Sequence, residues 1–258
     1  MDNILEIIHL SKDFGGLKAI DSFNLTLKKG CIHGLIGPNG AGKTTIFNNI
    51  TGVYVPTQGQ VIFDGKDITG MGTSSVAAIG IARTFQNIKL FSNLSVLDNV
   101  IIAGNLEADY GLWQAFFRTA KYKQEEKKLR DKALELLEIV DLADFSSSIA
   151  SSLPYGHQRK LEIARALALN PKLLLLDEPA AGMNFEESLE LISFVKEVKE
   201  KYDLTILLIE HHMDVVTGLC DTATVLNFGK TLAEGLVKDI KKEKAVIDAY
   251  LGVEDVIC

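Results

Sequence analysis

Along the chain the apolar positions follow two different periods, and the period changes with position. Phe23, Leu25 and Leu27 alternate with Asn24, Thr26 and Lys28, the period of two expected of a half-buried antiparallel strand, and the pattern stops at Lys29-Gly30. Residues 31–36 form a largely apolar segment that reads as a buried strand. Gln60 to Phe63 reads as another strand entering a tight turn at Asp64-Gly65, and Gly80 to Gln86 as a further candidate. From about residue 93 the period lengthens. Ser95 to Asp98 has the form of a capping box opening a helix that runs from Asn99 to Ala103. Leu129, Ala133, Leu136, Leu137 and Val140 fall at i, i+4, i+7, i+8 and i+11, one apolar helical face, with Glu126 and Arg130 paired on the charged side. Strand and helix patterns then alternate: helix over 159–169, strand over 173–176, helix over 186–201, strand over 204–209. Such alternation predicts a parallel sheet with helical crossovers, interrupted by a helical block over roughly 92–157.

Bulk composition narrows the setting. The 258 residues are 47% hydrophobic and 24% charged, as in an ordinary globular protein able to bury a substantial core. A net charge of −7 argues against a broad nucleic-acid footprint, so no nucleic-acid partner is expected. Cys31, Cys220 and Cys258 are too few and too widely spaced for a disulfide framework or a metal motif, which suggests a reducing, cytoplasmic setting. No apolar run approaches the ~18 residues of a membrane span. The first residues, Met1-Asp-Asn-Ile-Leu-Glu, carry acids where a signal peptide carries positive charge. Any service to a membrane is therefore expected through docking to another chain, without direct insertion.

The chemistry begins at residue 37. Gly37-Pro38-Asn39-Gly40-Ala41-Gly42-Lys43-Thr44-Thr45 fits the phosphate-binding pattern G-x-x-x-x-G-K-[ST], between a predicted strand and a helix over 45–50. By chance the bare pattern arises in about one chain of this length in a hundred, so the flanking elements make the reading specific. Glycines let the backbone curl its N–H groups inward, and the helix N-terminus adds partial positive charge. Lys43 would reach the β- and γ-phosphates of a nucleotide, and the Thr44 hydroxyl would hold Mg²⁺. A second element is Leu173-Leu-Leu-Leu-Asp177-Glu178-Pro179. Four aliphatic residues place it in the sheet centre, so Asp177 emerges at the strand's C-terminal end, where a carboxylate can hold Mg²⁺ through its water shell. Glu178 can orient and partly deprotonate a water in line with the γ-phosphate. The competing reading is a strand that merely ends in solvated acids.

Taken in order, the P-loop, Phe85-Gln86, the helical block, Leu153-Pro-Tyr-Gly-His157-Gln-Arg159, Asp177-Glu178, Ala181-Gly-Met-Asn184 and Glu210-His211 resemble an ABC-type ATPase over nearly the whole chain. The run from Leu153, the phrase Asp177-Glu-Pro-Ala-Ala-Gly-Met-Asn184 and the ending Ala249-Tyr-Leu-Gly252 are similar to the ATP-binding subunits of branched-chain amino-acid importers. Subunits serving urea uptake or lipopolysaccharide export share much of this, and a soluble role in iron–sulfur assembly stays open. DNA repair and translation fit poorly, since the insert lacks long heptads and there is one cassette, not two.

The resemblance implies an α/β, P-loop NTPase fold with a mixed-sheet core, an N-terminal antiparallel β subdomain and a helical insert. Its expected boundaries are 1–91 and 158–258 for the core and 92–157 for the helical subdomain. It implies a head-to-tail dimer, of two copies or with a related ATPase, with ATP and Mg²⁺ at the interface, docked on integral permease subunits at the cytoplasmic face of the cell membrane. Phe14 would stack on adenine, a contact worth about 1–3 kcal/mol, or else be an ordinary core aromatic. Gln86 would sense Mg²⁺ and the attacking water, and His211 would contact the γ-phosphate. His212 stands where the family usually has an acid and is given no role. Pro154, Tyr155, Gly156 and His157 would face the partner's nucleotide. Pro154 replaces a serine and Tyr155 a glycine, so backbone N–H groups rather than a hydroxyl would make that contact. Trp113, Phe116 and Phe117, ahead of the basic run 118–123, would either face a membrane partner or pack inside the helical lobe.

Overall fold

The computed structural model describes residues 2–107 and 110–251. The expected Ala249–Gly252 ending therefore lies partly outside the described residues. The chain forms two compact units, one made of residues 1–83 and 172–258 and the other of 84–171.

In the first unit β1 (Asn3–Phe14), β2 (Leu17–Lys28), β4 (Gln58–Phe63) and β5 (Lys66–Asp67) make an antiparallel sheet in the order β2-β1-β4-β5. The alternation read over 23–28 is the inward face of β2: Phe23, Leu25 and Leu27 are buried and their neighbours are not. A second, six-stranded sheet contains β3 (Ile32–Ile36), β6 (Ile81–Arg83), β7 (Leu173–Asp177), β8 (Thr205–Ile209), β9 (Thr222–Asn227) and β10 (Lys230–Leu236), ordered β10-β9-β3-β8-β7-β6. Five strands are parallel and β10 runs against β9, so the sheet is mixed. The central strands β3, β7 and β8 are buried at every position, which is why they read as continuous apolar runs. One face of this sheet is covered by α1 (Lys43–Ile50), whose Ile46, Phe47 and Ile50 join Leu35, Leu173, Leu175, Leu207 and Ile209 in a core shared with the antiparallel sheet. A short α2 (Thr73–Ala78) precedes β6; α7 (Phe185–Tyr202), α8 (Met213–Leu219), α9 (Val237–Ile240) and α10 (Lys244–Leu251) complete the unit.

The second unit is helical: α3 (Val96–Gly104), α4 (Leu112–Phe116), α5 (Ala120–Ile139) and α6 (Tyr155–Leu167), joined by short 3₁₀ turns. Ser95 caps α3, its hydroxyl accepting the Asp98 N–H at 3.0 Å. Leu129, Ala133, Leu136 and Leu137 form the buried stripe of α5, and Glu126 on that helix accepts the Tyr110 hydroxyl at 2.7 Å. This unit is wider than the 92–157 expected from sequence. It takes in α6 because Arg159, Glu162 and Ala168 are bonded to partners at 85–86 and 132, all within the same unit.

Candidate nucleotide site

Strand register explains why distant motifs meet. Leu35 pairs with Ile209 and Ile209 with Asp177, so β3, β8 and β7 end level with one another. The P-loop after β3, Asp177-Glu178 after β7 and Glu210-His211 after β8 therefore leave the same C-terminal edge of one parallel sheet, where ligands bind in open α/β sheets.

The P-loop conformation demands its glycines. Gly37, Gly40 and Gly42 have φ of 142°, 79° and 108°. A Cβ on Gly37 would lie 2.1 Å from the Leu226 carbonyl oxygen, and one on Gly42 would lie 2.5 Å from Ile20 Cδ1. Ala41 donates to the Pro38 carbonyl at 3.2 Å, closing the turn before α1, while Asn39 and Gly40 are exposed at its tip. Lys43 is buried and folds back over the loop, its Nζ donating to the Gly37 and Pro38 carbonyls at 2.6 and 3.0 Å. Burial lowers the pKa of Lys43, and the charges of Glu178, Asp177 and Glu210 oppose that shift. Thr44 is exposed, Thr45 half-buried, and no acidic residue occupies the first turn of α1, which leaves that helix end suited to an anion.

Glu178 has a left-handed backbone, φ 47°, fixed by its N–H donating to the Ile209 carbonyl at 2.9 Å. His211 brings Nδ1 to 3.7 Å from Glu178 Oε2, and its ring lies 4.0 Å from that of His212. Glu210, fully buried, ties these loops together: Oε1 accepts the Ala180 N–H at 3.1 Å, and Oε2 the His211 and His212 N–H groups at 2.9 and 3.1 Å. Sequence reading named Glu210 only as part of a motif and missed its role, since a carboxylate that binds backbone leaves no pattern in residue types. Two other partners carried no signal at all: Arg83, which donates to Asp177, and Asn48, which accepts from Arg83. Phe14 is 41% exposed and meets Tyr54 edge-on at 5.2 Å, with Lys12 Nζ 5.1 Å from its ring. That placement removes the core-aromatic alternative and leaves a ring open for stacking.

In the helical unit Pro154 is the residue before α6, Tyr155 is exposed, and a Cβ on Gly156 would meet nothing within 4 Å. The half-buried His157 ring lies 5.2 Å from that of Phe145. Behind this turn Arg159 is fully buried, donating to the Phe85 and Gln86 carbonyls at 2.8 and 3.0 Å and to Glu162 at 2.7 Å. Glu162 in turn accepts the Phe85 N–H at 3.1 Å, so one buried ion pair clamps the backbone leading to Gln86. Trp113, Phe116 and Phe117 are 76%, 78% and 66% exposed, which removes the alternative of packing inside the helical unit. Among the described residues no helix is long and apolar enough to cross a membrane.

With this geometry in hand, residues 20–181 match the ABC transporter family. The chain belongs to that family. It is 39% identical over 249 residues to the high-affinity branched-chain amino acid transport ATP-binding protein BraF of Pseudomonas aeruginosa, covering 96% of this chain and 98% of that protein. It is 40% identical, with the same coverage, to LivG of Escherichia coli K12, which carries the same description. Among solved structures, the ADP conformation of MJ1267, an ATP-binding cassette of an ABC transporter, superposes with TM-score 0.85 at 33% identity, covering 98% of this chain and all of that one. CbiO1 of Clostridium perfringens, part of the transporter complex cbiONQ, gives 0.82 at 27% identity, covering 100% of this chain and 96% of that one. These similarities extend the α/β cassette over both units of the ABC family member described here.

Proposed function

We propose that this chain is the ATP-hydrolysing, energy-coupling subunit of a membrane importer of branched-chain amino acids. The observation that carries the reading is the convergence of Lys43, Asp177, Glu178 and His211 on one sheet edge, in a chain 39–40% identical to importer subunits along 96% of its length.

ATP is held by the curled loop of residues 37–45, with Lys43 moving from the loop carbonyls to the β- and γ-phosphates and Phe14 stacking on the base. Glu178 orients and deprotonates the attacking water, and His211, beside it, stabilises charge on the γ-phosphate. Mg²⁺ fits the donor chemistry: the Thr44 hydroxyl and the Asp177 carboxylate offer hard oxygen atoms, and the bound ion would offset phosphate charge. Residues 154–157 of a second cassette, a copy of this chain or a sister ATPase, complete the site through the N–H groups at the start of α6. Closure on ATP and opening after hydrolysis then become a rigid-body motion delivered to permease subunits at the cytoplasmic membrane face.

Glu178→Gln tests the chemistry: ATP binding is expected to persist while turnover falls at least a hundredfold, the size of a general-base contribution. Hydrolysis by that variant at the wild-type rate would remove Glu178 from the mechanism.

A further inference from the structure

Arg83 ends β6 in register with Leu175 of β7, so its side chain rises on the sheet face that also carries Asp177 and is covered by α1. The guanidinium is forked between two elements. Nη2 donates to Asp177 Oδ2 at 2.6 Å, and Nη1 donates to Asn48 Oδ1 at 2.7 Å, with the group 5.4 Å from the centre of the Phe47 ring. Phe47 and Asn48 belong to the helix that starts at Lys43, and the side chains of Arg83 and Asp177 are 7% and 5% exposed.

We propose that Arg83 is a positioning residue of the ATPase site, which sets the orientation of the Asp177 carboxylate relative to the P-loop helix and so sets divalent-cation affinity. The proposal rests on the reading of Asp177 as a cation ligand. A terminal carboxylate torsion is broad and roughly two-fold, so nothing in the strand itself fixes which way the oxygens face. A short charge-assisted bond to Oδ2 removes that freedom, and the bond to Asn48 anchors the same plane to α1. Stability does not account for the pair, because desolvation of two buried ions consumes most of their attraction and apolar residues fill such a space as well. Lysine at this position keeps the charge but has no planar fork, and a single ammonium cannot hold both oxygens in that geometry.

The test uses the full chain loaded with a non-hydrolysable ATP analogue and titrated with Mn²⁺, read by electron paramagnetic resonance. Arg83→Lys is expected to weaken Mn²⁺ binding about tenfold, the size of effect seen when a ligand loses its outer-shell partner, while analogue binding in EDTA stays unchanged. The Mg²⁺ concentration for half-maximal turnover is expected to rise by a similar factor. Asn48→Ala, which leaves both charged partners in place, should shift Mn²⁺ binding in the same direction by less and provides the measurement if Arg83→Lys does not fold. Asp177→Asn separates the two readings. If it weakens Mn²⁺ binding and neither Arg83→Lys nor Asn48→Ala does, the positioning role is overturned. If Asp177→Asn itself leaves Mn²⁺ binding unchanged, the ligand reading fails and takes the proposal with it.

Discussion

Glu178 combines a left-handed backbone, φ 47°, with a side chain facing His211 at 3.7 Å. Non-glycine residues in that region store about 1–3 kcal/mol of strain, and such strain concentrates where a side chain must point in one direction. Glu178→Gly is therefore expected to raise stability by about 1 kcal/mol in urea titration while abolishing ATP hydrolysis. Gly37 shows the opposite constraint: with the Leu226 carbonyl 2.1 Å from a would-be Cβ, Gly37→Ala should distort the loop and remove nucleotide binding, measured by a fluorescent ATP analogue. His33 makes a pH prediction. Its ring is buried between the Thr222 and Thr224 hydroxyls at 2.8 and 2.9 Å, and burial lowers its pKa from 6.5 to about 4. Between those values the unfolded chain takes up a proton that the folded chain refuses, so stability is full above pH 6.5 and is lost as pH falls towards 4. At pH 5 the loss attributable to His33 is about 2 kcal/mol, and His33→Gln should flatten the stability profile in that window.

Elements record their ends in short local signals and their partners nowhere in the sequence. The Ser95 cap and the helix it opens were legible, because the capping hydroxyl and the helix it serves are three residues apart. Ser95→Ala is expected to cost about 1 kcal/mol of stability, measurable by chemical denaturation. Asn184 is likewise a cap: it accepts the Glu187 N–H at 3.0 Å and Glu187 reaches back to its N–H at 2.8 Å, opening α7. The strand expected over 80–86 is only three residues long, and the reason is tertiary. The backbone of Phe85 and Gln86 bonds to Arg159 and Glu162 rather than to a neighbouring strand. Glu162→Gln would leave Arg159 fully buried without its countercharge, so a loss of about 3–5 kcal/mol is expected. A near-neutral result in thermal denaturation would show that Arg159 finds other compensation.

At the scale of the whole molecule the chain leaves the first unit after Arg83 and returns to it at Lys172, and the intervening unit carries both Gln86 and the turn at 154–157. The two units are therefore packed separately and joined by two chain crossings. The exposed trio Trp113, Phe116 and Phe117 is stacked on itself, with Trp113 and Phe117 centroids 6.0 Å apart, and belongs to the helical body. Gentle solubilisation of membranes containing the tagged chain is expected to recover integral permease subunits of the branched-chain type and a second ATPase. Recovery with soluble proteins alone would leave the ATPase intact and overturn the transporter assignment.

What the sequence by itself determined is whatever rests on neighbours along the chain: the P-loop, the buried strand ending in Asp177-Glu178, the caps, and the apolar stripe of α5. Those features combine residue type with a spacing of one to eight positions, and hydrophobic period and local sterics suffice to specify them. Only the tertiary structure decided which helix belongs to which unit and which polar groups complete the site. Arg83 reaches Asp177 across 94 positions, Glu210 reaches Ala180 across 30, and Arg159 reaches Phe85 across 74. Each of these bonds follows from strand register or helix packing that brings distant backbone together. A buried charge is stable only with such a partner, and its residue type alone does not say which one it finds.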